Sequence, residues 1–150
     1  VEQHHRPQKP AFIVNRLDRA AQGLMLVAHT KSLAAALSGL FAKRLITKQY
    51  IALVTGLFPD HVLIDAPVDD SPAISKAILL SYSTLTKQSL VNVEIETGRK
   101  HQIRRMLAAV NLPVLRLVRW QIGPWEINDL KLGKITVMTN KAAWSMINQH

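Results

Sequence analysis

Hydrophobic and polar residues alternate along several short stretches of this chain, which is the pattern of β-strands with one buried face. In residues 91–95 every second position is valine or isoleucine, with polar residues between them. The predicted strands are residues 12–14, 24–27, 50–54, 62–64, 77–80, 91–95, 115–120 and 135–138. We expect the first two to belong to one sheet, and the strands at 77–80 and 91–95 to be joined across residues 86–88.

Helical spacing of apolar residues appears at three places between these strands. Thr30 is a typical N-cap residue, and leucines follow at helical spacing as far as about Leu45. A second helix is predicted over residues 101–110, before Pro113, and a third over residues 141–148. Two prolines predict an extended lead-in at residues 1–10. The pattern therefore predicts one α+β domain over residues 11–150, with a mixed, mainly antiparallel sheet flanked by helices.

Composition narrows the classes of function. Nineteen Lys and Arg residues against ten Asp and Glu give a formal net charge of +9, which favours a phosphate-rich partner such as nucleic acid. A basic surface kept for solubility, or a ribosome-associated protein, would have the same charge. The absence of cysteine excludes disulfides, thiolate metal sites and cysteine nucleophiles. No His, Asp or Glu cluster has metal-ligand spacing, and no apolar run has the length of a membrane span, so we expect no metal and a cytoplasmic protein.

Three polar islands stand at the ends of predicted strands: Asn15 to Asp18 with the nearby Gly23, Lys48 to Tyr50, and residues 97–104. Asp18 lies between two arginines in a basic protein, where a polyanion could be held against a carboxylate. Its alternative role is that of a turn aspartate capping a backbone N–H group. The third island lies where a strand passes into a helix, and such a junction offers unpaired backbone N–H groups to phosphates.

These islands together resemble the RNA pseudouridine synthases of the RluA and RsuA branches. The resemblance rests on Asn-Arg-Leu-Asp followed by Gly-Leu-Met-Leu-Val, on Lys-Gln-Tyr-Ile-Ala-Leu-Val-Thr-Gly, and on Glu-Thr-Gly-Arg-Lys-His-Gln-Ile-Arg, in that order. It spans about residues 12–125 and mixes features of both branches. It implies isomerisation of a uridine within ribosomal or transfer RNA, with base flipping and without cofactor or metal.

The resemblance also implies roles for single residues. Asp18 matches the catalytic aspartate, and Tyr50 the tyrosine that stacks on the target base, although a half-buried tyrosine at a strand edge is the plainer alternative. Arg104 matches the basic partner that keeps the aspartate ionised, with Arg99 as the fallback partner or a phosphate contact. Ile103 packs against the uracil or belongs to the core.

Further residues are assigned to RNA binding by the same resemblance. Arg16 matches an arginine inserted beside the flipped base, or makes a plain phosphate contact. Arg19, Lys48, His101 and Gln102 complete the predicted substrate-binding set. Lys43, Arg44, Lys100 and Arg105 are further candidates for phosphate contacts, whereas Trp120, Trp125 and Trp144 are assigned to packing. We expect a monomer, and a catalytic domain of which the 150 residues are an incomplete part. A non-catalytic RNA-binding module and a structural ribonucleoprotein component are the competing classes.

Overall fold

The computed structural model of the protein describes residues 10–59, 61–65 and 73–127. Two helices and nine strands occur in this part of the chain. In chain order they are β1 (Phe12–Ile13), β2 (Gln22–Gly23), β3 (Val27–Ala28), α1 (Lys31–Ala42), β4 (Lys48–Thr55), β5 (His61–Ile64), β6 (Ile74–Ser83), β7 (Gln88–Ile95), α2 (Gln102–Ala109), β8 (Val114–Ile122) and β9 (Trp125–Glu126).

One large sheet forms the body of the fold, in the strand order β2-β8-β4-β7-β6-β5, with β9 also paired to β8. All of its pairings are antiparallel except that between β2 and β8. A separate antiparallel pair joins β1 to β3, as predicted for the first two apolar runs. The predicted α+β class with a mixed, mainly antiparallel sheet is therefore confirmed.

Alternation along the central strands produces one strongly buried face. Along β4 every second residue from Lys48 to Val54 is buried, and the same holds along β7 from Ser89 to Ile95. α2 covers this face with Ile103, Met106 and Leu107, each at most 4% exposed. Burying an apolar side chain of this size contributes roughly 1.5–3 kcal/mol, so α2 is held mainly by this contact.

A second apolar cluster places α1 beside the first strands. Leu37, Leu40 and Phe41 of α1 pack with Val14, Leu26 and Ile122. The helix begins as predicted, because the Thr30 side chain accepts a hydrogen bond from the Leu33 N–H group at 3.2 Å. Its end was predicted too late: α1 stops at Ala42, because Arg44 adopts a left-handed conformation with φ of 60°.

The remaining boundary predictions differ by a few residues. The second helix runs over Gln102–Ala109, since His101 is left-handed and stands at the N-cap. The hairpin between β6 and β7 turns where predicted. The predicted strand at 135–138, the helix at 141–148, Trp144 and nearly all of the lead-in lie outside the described residues. No helix in the described part of the chain is both long and apolar enough to cross a membrane.

Candidate active site

Asp18 lies in the loop between β1 and β2, at the mouth of a small cavity. The main-chain carbonyl of Asp18 accepts a hydrogen bond from the Ala21 N–H group at 2.9 Å and closes the turn. Within the described residues, the Asp18 carboxylate accepts no hydrogen bond from a backbone N–H group. It lines a cavity of about 50 Å³ together with Tyr50. The cavity is lined by Asn15, Arg16, Leu17, Asp18, Ala21, Lys48, Tyr50, Ile95, Gly98, Arg99, Gln102, Ile103 and Leu117.

Tyr50 reaches this cavity from the buried face of β4. Its side chain is 8% exposed, and this burial raises the pKa of the phenol above its ordinary value of 10.0. The positive charge of the Arg119 guanidinium opposes that rise in pKa, while the charge of Asp18 adds to it. Tyr50 is therefore a neutral phenol near pH 7 that feels the positive charge of Arg119.

Arg119 is the residue around which the site is assembled. It is fully buried on β8, directly opposite Tyr50 on β4. Its Nε donates to the Leu24 carbonyl at 2.9 Å, and one terminal nitrogen donates to Asn15 Oδ1 at 2.7 Å. Longer contacts reach the Asn15 carbonyl at 3.4 Å and the Arg16 carbonyl at 3.5 Å. Arg119 therefore fixes the loop that carries Asp18 to the central sheet.

Gly23 permits this close packing. It pairs with Arg119 in the parallel ladder between β2 and β8, at a φ of 122°. A Cβ atom at this position would lie 2.2 Å from the Arg119 carbonyl oxygen, well inside van der Waals contact. Only glycine combines this φ with so close an approach of two backbones.

Lys48 is a second buried cation beside Arg119. Its side chain is 2% exposed, its Nζ donates to the Thr97 carbonyl at 2.8 Å, and the ammonium lies 5.7 Å from the centre of the Phe41 ring. Burial, and then the charge of Arg119, lower the pKa of Lys48 from 10.5 to about 8. Among the described residues neither Lys48 nor Arg119 has a carboxylate within ion-pair distance.

The third island is held against the sheet by Gln102 and Asp65. Gln102 Oε1 accepts from Thr97 Oγ1 at 2.8 Å and from the Arg99 N–H group at 3.1 Å. Asp65, at the end of β5, accepts from Arg105 at 2.5 Å and lies 3.9 Å from Arg99. The Gln102 amide nitrogen is buried without a hydrogen-bond partner in the described structure, and Gln102 is one of the residues that line the cavity.

Comparison with known proteins assigns the chain to a family. A profile described as RNA pseudouridylate synthase matches residues 2–109. An uncharacterized RNA pseudouridine synthase of Mycobacterium bovis is 31% identical over 92% of this chain and 55% of its own length. The ribosomal large subunit pseudouridine synthase D of Vibrio cholerae is 33% identical over 70% of this chain and 36% of its own.

The chain belongs to the RNA pseudouridylate synthase family. It spans about half the length of the Mycobacterium bovis relative. Solved structures agree in fold: human RNA pseudouridylate synthase domain containing 4 has a TM-score of 0.64 at 24% identity, over 75% of this chain and 52% of that one. A further pseudouridylate synthase crystal structure has a TM-score of 0.69 at 20% identity, over 91% of this chain and 59% of that one.

The structure of this family member brings together most of the predicted site residues. Those that line the cavity are Arg16, Asp18, Lys48, Tyr50, Arg99, Gln102 and Ile103. His101 and Arg19 are exposed and do not line it, and neither does Arg104.

The predicted ion pair between Arg104 and Asp18 does not form within the described residues. The Arg104 guanidinium instead donates to two main-chain carbonyls, that of Ala20 at 3.0 Å and that of Val114 at 3.3 Å. Through these two hydrogen bonds, Arg104 connects the turn after Asp18 to the start of β8.

Arg119 was missed by the sequence analysis, although a signal existed. Leu117 and Arg119 are two apart on a predicted strand, so they share a face, and Leu117 is buried. An arginine on the apolar face of a strand needs buried partners. Here those partners are main-chain carbonyls and the Asn15 side chain, which no local pattern identifies.

Proposed function

We propose that this chain is the catalytic part of an enzyme that isomerises a uridine to pseudouridine in structured ribosomal or transfer RNA. The observation that supports this most strongly is the convergence of Asp18 and Tyr50 on one cavity walled by cations. A relative named for the ribosomal large subunit favours ribosomal RNA.

The isomerisation needs no external group, because one bond is exchanged for another. The bond from the ribose C1′ to uracil N1 breaks, the uracil rotates, and C1′ bonds to C5. The proton leaves C5, and N1 finishes protonated. Asp18 acts either by adding covalently to the substrate or by stabilising the detached sugar and moving a proton.

Tyr50 serves both binding and proton movement in this scheme. Its ring stacks on the uracil, and its hydroxyl, which stays protonated near pH 7, faces the carbon that loses a proton. The unpartnered Gln102 amide offers hydrogen-bond donors to the base, and Arg16, which is exposed at the rim, stacks beside it or contacts phosphate. The uridine reaches this cavity by flipping out of its stack, at a cost of a few kcal/mol that is smallest in loops and bulges.

Pseudouridine mapping tests the proposal. Cellular RNA from a strain lacking the gene is incubated with the full-length wild-type protein or with Asp18→Asn, and pseudouridine is mapped at each position. We expect a new pseudouridine with the wild type and none with Asp18→Asn. Equal pseudouridine in both samples would refute a catalytic role for Asp18. RNA binding without pseudouridine in either sample would identify a non-catalytic binding module.

A further inference from the structure

A second cavity lies beside the proposed uridine cavity and is much larger. Its volume is about 360 Å³, in the range of cavities that hold small organic ligands. Asn15, Lys48, Gly98 and Arg99 line both cavities and so form a shared wall. The rest of its lining comes from the C-terminal half of α1 and the residues around it: Val14, Ser38, Phe41, Ala42, Arg44 and Thr97.

The lining of this second cavity suits an anionic ligand. Lys48, Arg99 and Arg44 contribute positive charge, and none of the described residues that line it is acidic. Of the three, Lys48 is the strongest indication of an anionic ligand, because its ammonium is buried next to Arg119 and its pKa is lowered. A buried cation without a carboxylate partner is costly, and an arriving anion reduces that cost.

Arg44 adds an independent observation at the outer end of the cavity. It closes α1 in a left-handed conformation, with the Leu45 N–H group donating to the Leu40 carbonyl at 3.0 Å. Glycine is the usual residue at this position of a helix, and another residue there costs of order 1 kcal/mol. The chain therefore has an exposed arginine at a position where glycine would be more stable, on the rim of an acid-free cavity.

We propose that the second cavity is a subsite for the nucleotide joined to the target uridine. The connecting phosphodiester lies at the shared wall, and Arg44 is the cationic contact at the outer end of the subsite. The proposal rests on the proposed function, because it takes the first cavity as the uridine site. When a uridine occupies that site, its covalently attached neighbour must lie within one phosphodiester linkage of it. The shared wall, with the Lys48 ammonium, is the part of the surface that both nucleotides can reach.

Substitution of Arg44 by glycine separates binding from folding. Arg44→Gly removes the cation and relieves the left-handed strain, so it should stabilise the fold and weaken RNA binding. Lys87→Gly is the matched control, because Lys87 is also an exposed cation at positive φ, 54°, but lies in the hairpin between β6 and β7. Both variants lose one positive charge, so a nonspecific charge effect would affect them equally.

The binding probes are uridine monophosphate, the dinucleotide UpU and inorganic phosphate, each competing against fluorescein-labelled decauridylate. For the wild type we expect UpU to compete about tenfold better than uridine monophosphate, the change that one added contact worth roughly 1.4 kcal/mol would give. Arg44→Gly should lose most of this preference, whereas Lys87→Gly should keep it. The salt dependence of decauridylate binding should fall by about one phosphate equivalent in Arg44→Gly alone.

Three results would overturn the subsite: equal competition by UpU and uridine monophosphate, equal losses in the two glycine variants, or competition by inorganic phosphate as strong as by UpU, which would indicate a bare anion site. Asp18→Asn should keep the UpU preference. A failure of the proposed chemistry and a failure of the subsite are therefore distinguishable, because the first is measured by pseudouridine mapping and the second by this preference.

Discussion

Replacing Arg119 by methionine should detach the loop that carries Asp18 from the central sheet. Methionine has a similar length and no donors, so the substitution fills the space but leaves the Leu24 carbonyl and Asn15 Oδ1 without the hydrogen bonds they accept at 2.9 Å and 2.7 Å. Tyr50 loses the positive charge that opposes the rise in its pKa as well. Three elements of the site are therefore affected by one side chain.

The size of the effect follows from these contacts. A hydrogen bond from a charged donor contributes about 1.5–3 kcal/mol, so two short ones give about 3–6 kcal/mol. Removing a buried cation that has no carboxylate partner offsets part of this loss, since its desolvation is no longer required. We expect a net loss of about 2–4 kcal/mol in the free energy of unfolding, a large share of the 5–15 kcal/mol typical of a domain.

Urea unfolding followed by circular dichroism measures this loss, and Arg116→Met is its control. Arg116 is on the same strand as Arg119 but exposed, so its substitution should change stability by no more than about 0.5 kcal/mol. NMR titration of Lys48 supplies a second measurement, because the charge of Arg119 lowers the pKa of Lys48 and its removal should let that pKa rise. A loss below about 1 kcal/mol in Arg119→Met, with an unmoved Lys48 pKa, would refute this account of Arg119.

Three further predictions concern the cavity and the residues packed around it. Tyr50→Phe keeps the stacking ring and removes the hydroxyl, so kcat should fall by roughly 10²–10⁴ with little change in KM; a change in KM alone would contradict the proton-moving role. Gly23→Ala should cost at least about 2 kcal/mol in urea unfolding, because its Cβ would meet the Arg119 carbonyl and its φ would be strained. The lowered pKa of Lys48 means that the unfolded chain binds more protons than the folded chain from about pH 8 upward, so stability rises with pH there. Relative to Lys48→Met, the wild type should gain about 1–2 kcal/mol from about pH 8 to about pH 9.5, and parallel pH profiles would exclude a lowered Lys48 pKa.

The sequence was sufficient to predict those parts of the site that depend on patterns and motifs within short stretches of the chain. The alternation around Val93 predicts the central strands, and the apolar spacing around Met106 predicts the helix that covers them. Asp18 and Tyr50 stand at strand ends in motifs whose family resemblance was sufficient to place them together. The strands and the helix depend on residues only a few positions apart, which a single sequence displays directly.

The partner of the loop that carries Asp18 could not be predicted in the same way, because it depends on a contact between distant segments. Arg104 is the last residue of the third island and Arg119 lies further along the chain on β8, yet both reach the Asn15 to Ala21 loop. The two arginines differ because β2 pairs in parallel with β8. This pairing places Arg119 against the loop at Asn15, whereas Arg104 contacts the loop at the Ala20 carbonyl. The sequence contains no signal for that two-residue pairing, so the family resemblance points to Arg104 instead.

Two buried cations of the site have no ion-pair partner within the described residues. Lys48 and Arg119 are at most 2% exposed, and neither has a carboxylate within ion-pair distance in that part of the chain. Leaving two such cations uncompensated costs folding free energy, which an apolar pair of the same volume would not. An anion at the shared wall of the two cavities recovers the part of that cost that comes from Lys48, which lines both cavities, whereas Arg119 lines neither. The arrangement therefore favours a phosphate-linked ligand over a free uracil base, and it predicts that RNA stabilises this fold more than a neutral nucleoside does at equal occupancy.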